Sequence, residues 1–291
     1  MAAAPVRPGR HWPWVLLLAA ALLAHWPWVL LLAAALLAAA GPALLSHDPY
    51  AQNLLARNLP PSAAHWLGTD NFGRDVYARI VMGTRLTLLV AFCSGAIALL
   101  GGAAVGLLAC ALGGAVRAAV YLVFDLIRTL PPILLSLALM VALGVGTGSV
   151  IVAVGISFMP LFGYVARAAY ERETASGYVR AARVLGVAPA AIAWRHILPN
   201  IAGTLLTQLA IVVPRAVVTE SVLSFFGLGV APDVPTWGRI IATAVPYAEQ
   251  APTALLFPVL ALALTSLALS VAGNRLRRRF DPLSRPAGAC P

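Results

Sequence analysis

Apolar runs long enough to cross a membrane recur along almost the whole chain, and this feature constrains the fold more than any other. A hydrocarbon layer about 30 Å thick takes about 20 helical residues to cross, and backbone groups inside it must be paired within helices or closed barrels. Only 10% of the 291 residues are charged and 61% are hydrophobic, whereas a soluble domain carries roughly 25% charged residues. The chain is therefore predicted to be an all-α polytopic membrane protein without a large soluble domain.

Windows of about 20 apolar residues predict six transmembrane helices. They lie near residues 13–45, 86–112, 118–146, 148–166, 201–228 and 253–273. In the first of them, HWPWVLLLAAALLA at 11–24 is repeated without change at 25–38. One copy is too short to cross comfortably, and two crossings would place the Arg-rich tail outside, against the charge rule. We therefore expect one crossing, made mainly by the second copy, and interpret the repeat as a recent duplication of coding sequence.

The arginines predict the orientation of the spans, because cytoplasmic loops carry an excess of positive charge. If the N-terminus is cytoplasmic, 13 of the 20 Arg residues lie inside and 5 outside, with Arg128 and Arg215 within or near spans. Both termini and the loop at 167–200 are therefore expected on the cytoplasmic side of the membrane. The predicted divisions are an N-terminal segment with the first helix (1–45), an extracytoplasmic loop (46–85), a core membrane domain (86–274) that contains the 167–200 loop, and a cytoplasmic tail (275–291).

The composition also excludes several functions. A P-loop needs a lysine to reach the β and γ phosphates, and the chain contains no Lys. Its arginines are scattered beside apolar spans instead of forming a patch interleaved with aromatic residues, which argues against nucleic-acid binding. No grouping of Ser, His and acid suits hydrolysis, no metal-ligand pair stands at helical spacing, and Cys93, Cys110 and Cys290 lack the spacing of a disulfide framework. We expect a chain that is not an enzyme, with no catalytic residue, cofactor or metal ligand.

Four charged residues fall inside predicted spans. Asp125 and Arg128 are three residues apart on one helix face, where a local ion pair would lower the cost of burying both. Arg215 and Glu220 are five apart, so a helix separates them in azimuth and each is expected to find a different partner. Because charges at membrane depth suggest a functional site, Arg215 and Glu220 are candidates for an intramembrane gate or for helix packing.

The segment between the first two spans is polar and contains HDPY at 47–50 and GTDNFGRD at 68–75. Gly and Asn supply turn conformations there, and Asp70, Arg74 and Asp75 can pair locally. The sequence leaves two interpretations open, an ordered cap over the loop or a surface that receives a partner.

The loop at 167–200 contains two short helical segments, YVRAARVLG at 178–186 and VAPAAIAWRHILPN at 187–200. The first is predicted to end at Gly186 in left-handed geometry, and the second to begin at Pro189 and stop before Pro199. Apolar residues alternate with Arg and His on both segments, so the pair would lie along the membrane surface against a partner or at the lipid interface.

Three stretches together carry a family resemblance. AARVLG followed by HILPN resembles the EAA loop of permease subunits in bacterial ABC importers. HWLGTDNFGRDVYARIVMGTRLTL at 65–88 and TESVLSFFGLGVAPDVPTWGR at 219–239 resemble the C-type permeases of dipeptide, oligopeptide and nickel systems. The resemblance extends from His47 to Pro286, with the motifs in the family's order, and implies the transmembrane-domain fold of a type I ABC importer.

The resemblance also implies a mechanism and partners. The loop would dock in a groove of a separate ATP-binding subunit and transmit its closure to the spans. The implied partners are two ATP-binding subunits, a second permease subunit in a heterodimer, an extracytoplasmic solute-binding protein and membrane lipid. Motif positions in the loop fall on Ala181, Ala182, Gly186, Leu198 and Pro199. The family's Glu is replaced by Arg180, which reverses the charge at the docking surface.

By this resemblance the chain would form half of the path of an importer for dipeptides or oligopeptides, with nickel or another small solute as the alternative. Peptide is favoured because no cluster of His, Cys or Met along the spans offers soft metal ligands. A stand-alone secondary transporter or channel is less consistent with the sequence, since it would need more intramembrane acids. A membrane enzyme is the third alternative.

Overall fold

The structure is a computed structural model. It describes the backbone of residues 12–231 and 233–280, and the side chains of residues 25–278 except 42, 44 and 232. Within that part the chain is helical and contains no β-strand. The helices are α1 (Trp12–Ala40), α2 (Val76–Leu112), α3 (Gly114–Arg128), α4 (Pro132–Leu143), α5 (Thr147–Thr174), α6 (Gly177–Val184), α7 (Pro189–Ile192), α8 (Leu198–Phe225), α9 (Trp237–Ala244) and α10 (Pro252–Phe280). Predictions that concern the side chains of Arg7, Arg10, Arg279, Arg285 and Cys290 lie outside the described residues.

Helix α2 begins at Val76, before the apolar window that starts at 86, because a polar residue caps it there. The Asp75 carboxylate accepts a hydrogen bond from the backbone N–H of Ala78 at 2.7 Å, which satisfies one of the free donors of the first turn. The helix ends at Gly113, whose φ of +67° is a left-handed value that glycine adopts without strain. Its 37 residues are more than enough to cross a bilayer.

Helices α2 and α5 form the centre of the bundle and run parallel. Gly155 of α5 lies against Ile97 of α2, and further along both helices a Cβ built on Gly106 would lie 2.9 Å from the Cα of Gly163. These glycines let the two backbones approach closely, as small residues do in membrane helix pairs. Because the two helices are parallel, the chain between them must return across the bundle.

That return is made by α3 and α4, which are bent by 96° relative to each other at the break before Pro132. The sequence predicted one continuous span at 118–146. The break arises because Pro131 and Pro132 lack N–H donors and residues before proline avoid helical geometry. The parallel arrangement of α2 and α5 favours a broken span here over a re-entrant loop.

The remaining long helices pack around this centre. The end of α1 at Gly41 contacts Val81 near the start of α2, and the start of α10 at Thr253 lies beside Gly68, which precedes α2. Helix α8 packs against the middle of α2, where a Cβ on Gly95 would lie 3.0 Å from Leu209. The start of α1, the ends of α5 and α10, and the loop between α5 and α8 therefore share one end of the bundle.

Four helices are long and apolar enough to cross a membrane alone, and the α3–α4 pair makes five if it counts as one span. These four are α2, α5, the segment Pro189–Phe225 that contains α8, and α10. The sixth predicted crossing falls on α1, which runs as one helix through both copies of the repeat and whose apolar part with described side chains is His25–Ala40. The count of six stays a prediction.

Candidate functional site

The loop between α5 and α8 turns sharply at Gly186, which has a φ of +77°. The N–H of Gly186 donates to the carbonyl of Arg183 at 3.0 Å, and the N–H of Val187 donates to the carbonyl of Ala182 at 3.1 Å. This pair of bonds is the Schellman motif, in which a left-handed C′ residue closes the helix. The predicted left-handed glycine at the end of the first short helix is confirmed.

The second short helix begins at Pro189, as predicted, but it does not stop before Pro199. The helix α7 continues through a π-helical turn at Ala193–Ile197 directly into α8. The N–H of Leu198 donates to the carbonyl of Ala193, five residues earlier. Pro199 has no N–H to donate, and it lies directly after the π-helical turn, where the regular i to i−4 pattern is already interrupted.

The loop presents large apolar side chains to its surroundings. Val184 is 87% exposed, Leu185 81% and Trp194 73%. Other apolar residues of the same loop anchor it to the bundle and are buried: Val179, Ile192 and Ile197. Asn200 Nδ2 donates to the Tyr178 hydroxyl at 2.9 Å, and that hydroxyl donates to the Glu173 carboxylate at 2.5 Å. The loop is therefore firmly held yet leaves an apolar surface uncovered.

The motif residues lie on this loop and on the first turn of α8. Arg180 and Ala181 are exposed on α6, while Ala182 is half-buried against the main core. Leu198 is half-buried against the same core, and Pro199 is exposed. Among the described residues Arg180 has no acid within 4.0 Å, so its guanidinium is available to a partner.

A cavity of about 760 Å³ lies near mid-height in the bundle, between α4, α5, α8 and α10. Two arginines line it, Arg128 at the end of α3 and Arg215 of α8, and both are exposed. The other lining residues are Leu130, Pro132, Ile133, Ser157, Phe158, Pro160, Leu161, Pro214, Val218, Thr219, Ser266, Leu267 and Ser270. None of these residues is acidic.

Glu220 does not line this cavity and is fully buried. Its carboxylate accepts a hydrogen bond from Ser224 Oγ at 2.7 Å and a longer one from Ser221 Oγ at 3.4 Å. The hydroxyls of Thr87 of α2 and Thr236 before α9 also lie close to it. Glu220 therefore joins α8 to two other elements, which favours helix packing over a gate. The prediction that Glu220 and Arg215 would each find a different partner holds for Glu220, whereas Arg215 makes no ion pair within the described residues.

The predicted local ion pair between Asp125 and Arg128 is wrong, since the two groups do not lie within 4.0 Å of each other. Both instead contact Tyr164 of α5. The Tyr164 hydroxyl donates to Asp125 Oδ1 at 2.6 Å, and the Arg128 guanidinium lies 4.9 Å from the centre of the Tyr164 ring. Tyr164 lies far from both residues in sequence, so spacing within α3 could not reveal these contacts.

The segment before α2 forms an ordered cap. Asp70 is buried and accepts hydrogen bonds from the N–H and the Nε of Arg74, the latter at 2.7 Å. The predicted pairing of Asp70 with Arg74 is confirmed. Asp75 pairs with His65 instead, whose Nδ1 lies 2.8 Å from Asp75 Oδ2. Gly73 adopts a φ of +71°, as the predicted turn requires.

One group of possible metal ligands was missed from the sequence. His47, His65 and Asp75 offer donor atoms within 4.8 Å of one another beside a pocket of about 260 Å³. Helical spacing could not reveal it, because the loop brings together residues that are 10 to 28 positions apart. Both Asp75 oxygens already accept hydrogen bonds, one from the α2 cap and one from His65. The contacts fit a structural bridge between the cap and α2.

Comparison with known proteins is consistent with these features. The family described as binding-protein-dependent transport system inner membrane component matches residues 96–286. A dipeptide transport system permease protein of Alkalihalophilus pseudofirmus is 33% identical over 82% of this chain and 79% of its own length. A peptide ABC transporter permease protein of Sinorhizobium fredii is 38% identical over 83% of each chain. A glutathione transport system permease protein of Pectobacterium atrosepticum is 35% identical over 77% and 75%.

Among solved structures, a chain of the MetNI methionine ABC transporter in inward-facing conformations has a TM-score of 0.58 and 21% identity. The match covers 70% of this chain and 96% of that one. It supports the transmembrane fold of an ABC importer. Together with the apolar helices and the family match, it leads to one assignment. The chain belongs to the binding-protein-dependent inner membrane components, the multi-pass permease subunits of ABC importers, which are not themselves enzymes.

Proposed function

We propose that this chain forms half of the translocation path of an ATP-driven importer for dipeptides or oligopeptides in the cytoplasmic membrane. The names of its relatives support peptides as the cargo. Since the family works with ATP-binding and substrate-binding partners, energy enters from a separate ATP-binding subunit. The absence of Lys agrees with this division, because the chain cannot supply a P-loop.

The exposed apolar surface of the α5–α8 loop is the observation that carries the proposal. An apolar patch that a folded chain leaves uncovered marks a site of interaction with a partner. Val184 and Leu185 form such a patch directly before the turn at Gly186, and Trp194 is a further exposed apolar side chain after it. The loop continues without interruption into α8, so a force applied at the loop reaches a helix that lines the cavity. This continuity is a direct route from ATP-driven closure to the path.

Arg180 gives the proposed docking surface a positive charge. The residue is exposed and unpaired within the described part of the chain, and it stands where the family motif has Glu. Docking therefore relies either on an acid of the ATP-binding subunit or on shape and apolar contact. The same proposal includes a second permease subunit, two ATP-binding subunits and an extracytoplasmic solute-binding protein.

We also propose that both termini and the 167–200 loop face the cytoplasm. The termini and this loop carry more Arg residues than the segments expected outside, which supports that orientation. The packing of α1, α5 and α10 supports a shared end for the three segments. The divisions at 45, 85 and 274 are part of the same proposal.

Reconstitution tests the proposed function. The permease, its genomic partner subunits and the binding protein are placed in vesicles, and uptake of labelled Ala-Ala is measured with and without ATP. Uptake is expected only with the complete set of subunits and ATP. Uptake of Ala-Ala by the single permease would refute the proposal and favour a secondary transporter.

A further inference from the structure

The mid-bundle cavity has an electrostatic character that the family assignment does not specify. Its lining residues come from the middle parts of α5, α8 and α10 and from the break between α3 and α4. In a helical membrane protein this is where a discontinuous helix and neighbouring spans form a solute site. The cavity therefore lies near the middle of the membrane, on the route of a transported molecule.

Two positive charges line this cavity without a balancing acid. Arg215 makes no ion pair within the described residues, and no Asp or Glu is among the lining residues. Arg128 rests against the Tyr164 ring, while the neighbouring Asp125 is bonded to the Tyr164 hydroxyl and lies outside the lining set. Unpaired ionised groups at membrane depth are costly and usually mark a substrate or ion pathway.

Two neutral features of the same cavity also favour a bound anion. The buried Oγ of Ser266 has no hydrogen-bond partner within the described structure, so its hydroxyl is free to donate. Helix α4 begins at the cavity wall with Pro132 and Ile133, and no side chain caps this end. The positive end of the helix dipole there adds to the two guanidinium charges.

We propose that Arg215 and Arg128 bind the carboxylate of the transported solute at a site inside the path. A guanidinium offers a planar pair of donors that matches a carboxylate, and charge-assisted bonds of this kind are roughly twice as strong as those between neutral groups. The proposal rests on the proposed function and deepens it, because the site accepts a peptide with a free carboxylate. The same charges repel Ni²⁺, so the site selects against the nickel alternative.

The test uses the complete reconstituted transporter and labelled Ala-Ala. Arg215 is changed to Lys, Gln and Glu, and the initial uptake rate is measured against peptide concentration with saturating ATP and a fixed amount of binding protein. We expect Arg215→Gln to lower uptake efficiency about tenfold, as the loss of a charge-assisted hydrogen bond predicts. Arg215→Lys should lose less and Arg215→Glu more, so that transport follows the charge at this position.

Arg85→Gln is the matched control, because Arg85 is also an exposed arginine of a spanning helix but does not line the cavity. It should transport like the parent. Arg128→Gln is a second, independent test if an Arg215 variant fails to assemble with its partners. It too should reduce uptake. The amount of assembled complex is measured for each variant.

Three negative results are possible, and they have two different meanings. If the parent complex imports Ala-Ala while Arg215→Gln and Arg128→Gln match it, the carboxylate site is refuted and the peptide importer stands. If Lys and Gln at position 215 lose uptake equally, charge is not the reason and the site is again refuted. If the parent complex imports Ni²⁺ and no peptide, the proposed function itself fails.

Discussion

Replacing Gly186 by Val tests whether the geometry of the α5–α8 loop couples ATP hydrolysis to transport. At a φ of +77° an L-residue places its Cβ too close to the following carbonyl, which costs roughly 1–2 kcal/mol, and more for a β-branched side chain. No heavy atom lies within 4 Å of a Cβ built at this position, so a steric clash with neighbouring residues adds nothing. The penalty is therefore one of backbone conformation alone.

A penalty of that size shifts a local equilibrium by a factor of about 5–30. The ratio of the Schellman geometry to competing loop geometries would fall by that factor, and in the competing geometries the exposed Val184 and Leu185 are misplaced. We expect normal insertion and abundance of the permease, since the spans do not depend on this turn. ATP-driven uptake should fall several-fold, either because the ATP-binding subunit dissociates or because it hydrolyses ATP without transport.

The assay measures uptake, ATP hydrolysis and subunit co-purification on the same reconstituted samples. Gly177→Val is the matched control, because Gly177 lies in the same loop, also has no heavy atom within 4 Å of its Cβ, and does not adopt a positive φ. Gly186→Asn is the rescue variant, since Asn tolerates left-handed geometry. If Gly186→Val transports as well as Gly177→Val at equal abundance, the loop is only a connector and the coupling argument is wrong.

Three further predictions concern charge, packing and orientation. Arg180→Glu should impair association with the ATP-binding subunit, measured by co-purification, if an acid on that subunit pairs with Arg180; unchanged association would show that docking rests on shape. Glu220→Ala should lower stability by about 1–3 kcal/mol because Ser224 and other buried donors lose their acceptor, whereas Glu220→Gln keeps an acceptor and should lose less; equal melting temperatures for Ala and parent would contradict this role. A cysteine placed at Ser62 in a cysteine-free background should react with an impermeant reagent added outside intact cells, and one at Ala188 should not; the reverse pattern would invert the proposed topology.

The sequence alone predicted the features that depend on residues close together in the chain. Long apolar runs predicted the spanning helices, because each helix satisfies its own backbone groups whatever it packs against. The left-handed turn at Gly186 and the helix start at Pro189 were predictable for the same reason, since both depend on backbone preferences within a few residues. The pairing of Asp70 with Arg74 also follows from short spacing.

The tertiary structure decided everything that depends on residues far apart in the chain. Parallel packing of α2 and α5 through Gly106 and Gly163 explains why the segment between them is a broken span. The continuation of α7 through a π-helical turn into α8 overrode the stop expected at Pro199.

The roles of the buried and lining charges are likewise set by tertiary contacts. Tyr164, a residue of α5, contacts both Asp125 and Arg128, and hydroxyls of three different elements lie close to Glu220. Arg215, only five residues from Glu220, lines the cavity instead. Sequence spacing placed both charges inside the membrane, but which of them packs and which lines the cavity depends on the helices that surround α8, because in a bilayer a charge is stabilised only by the groups packed against it.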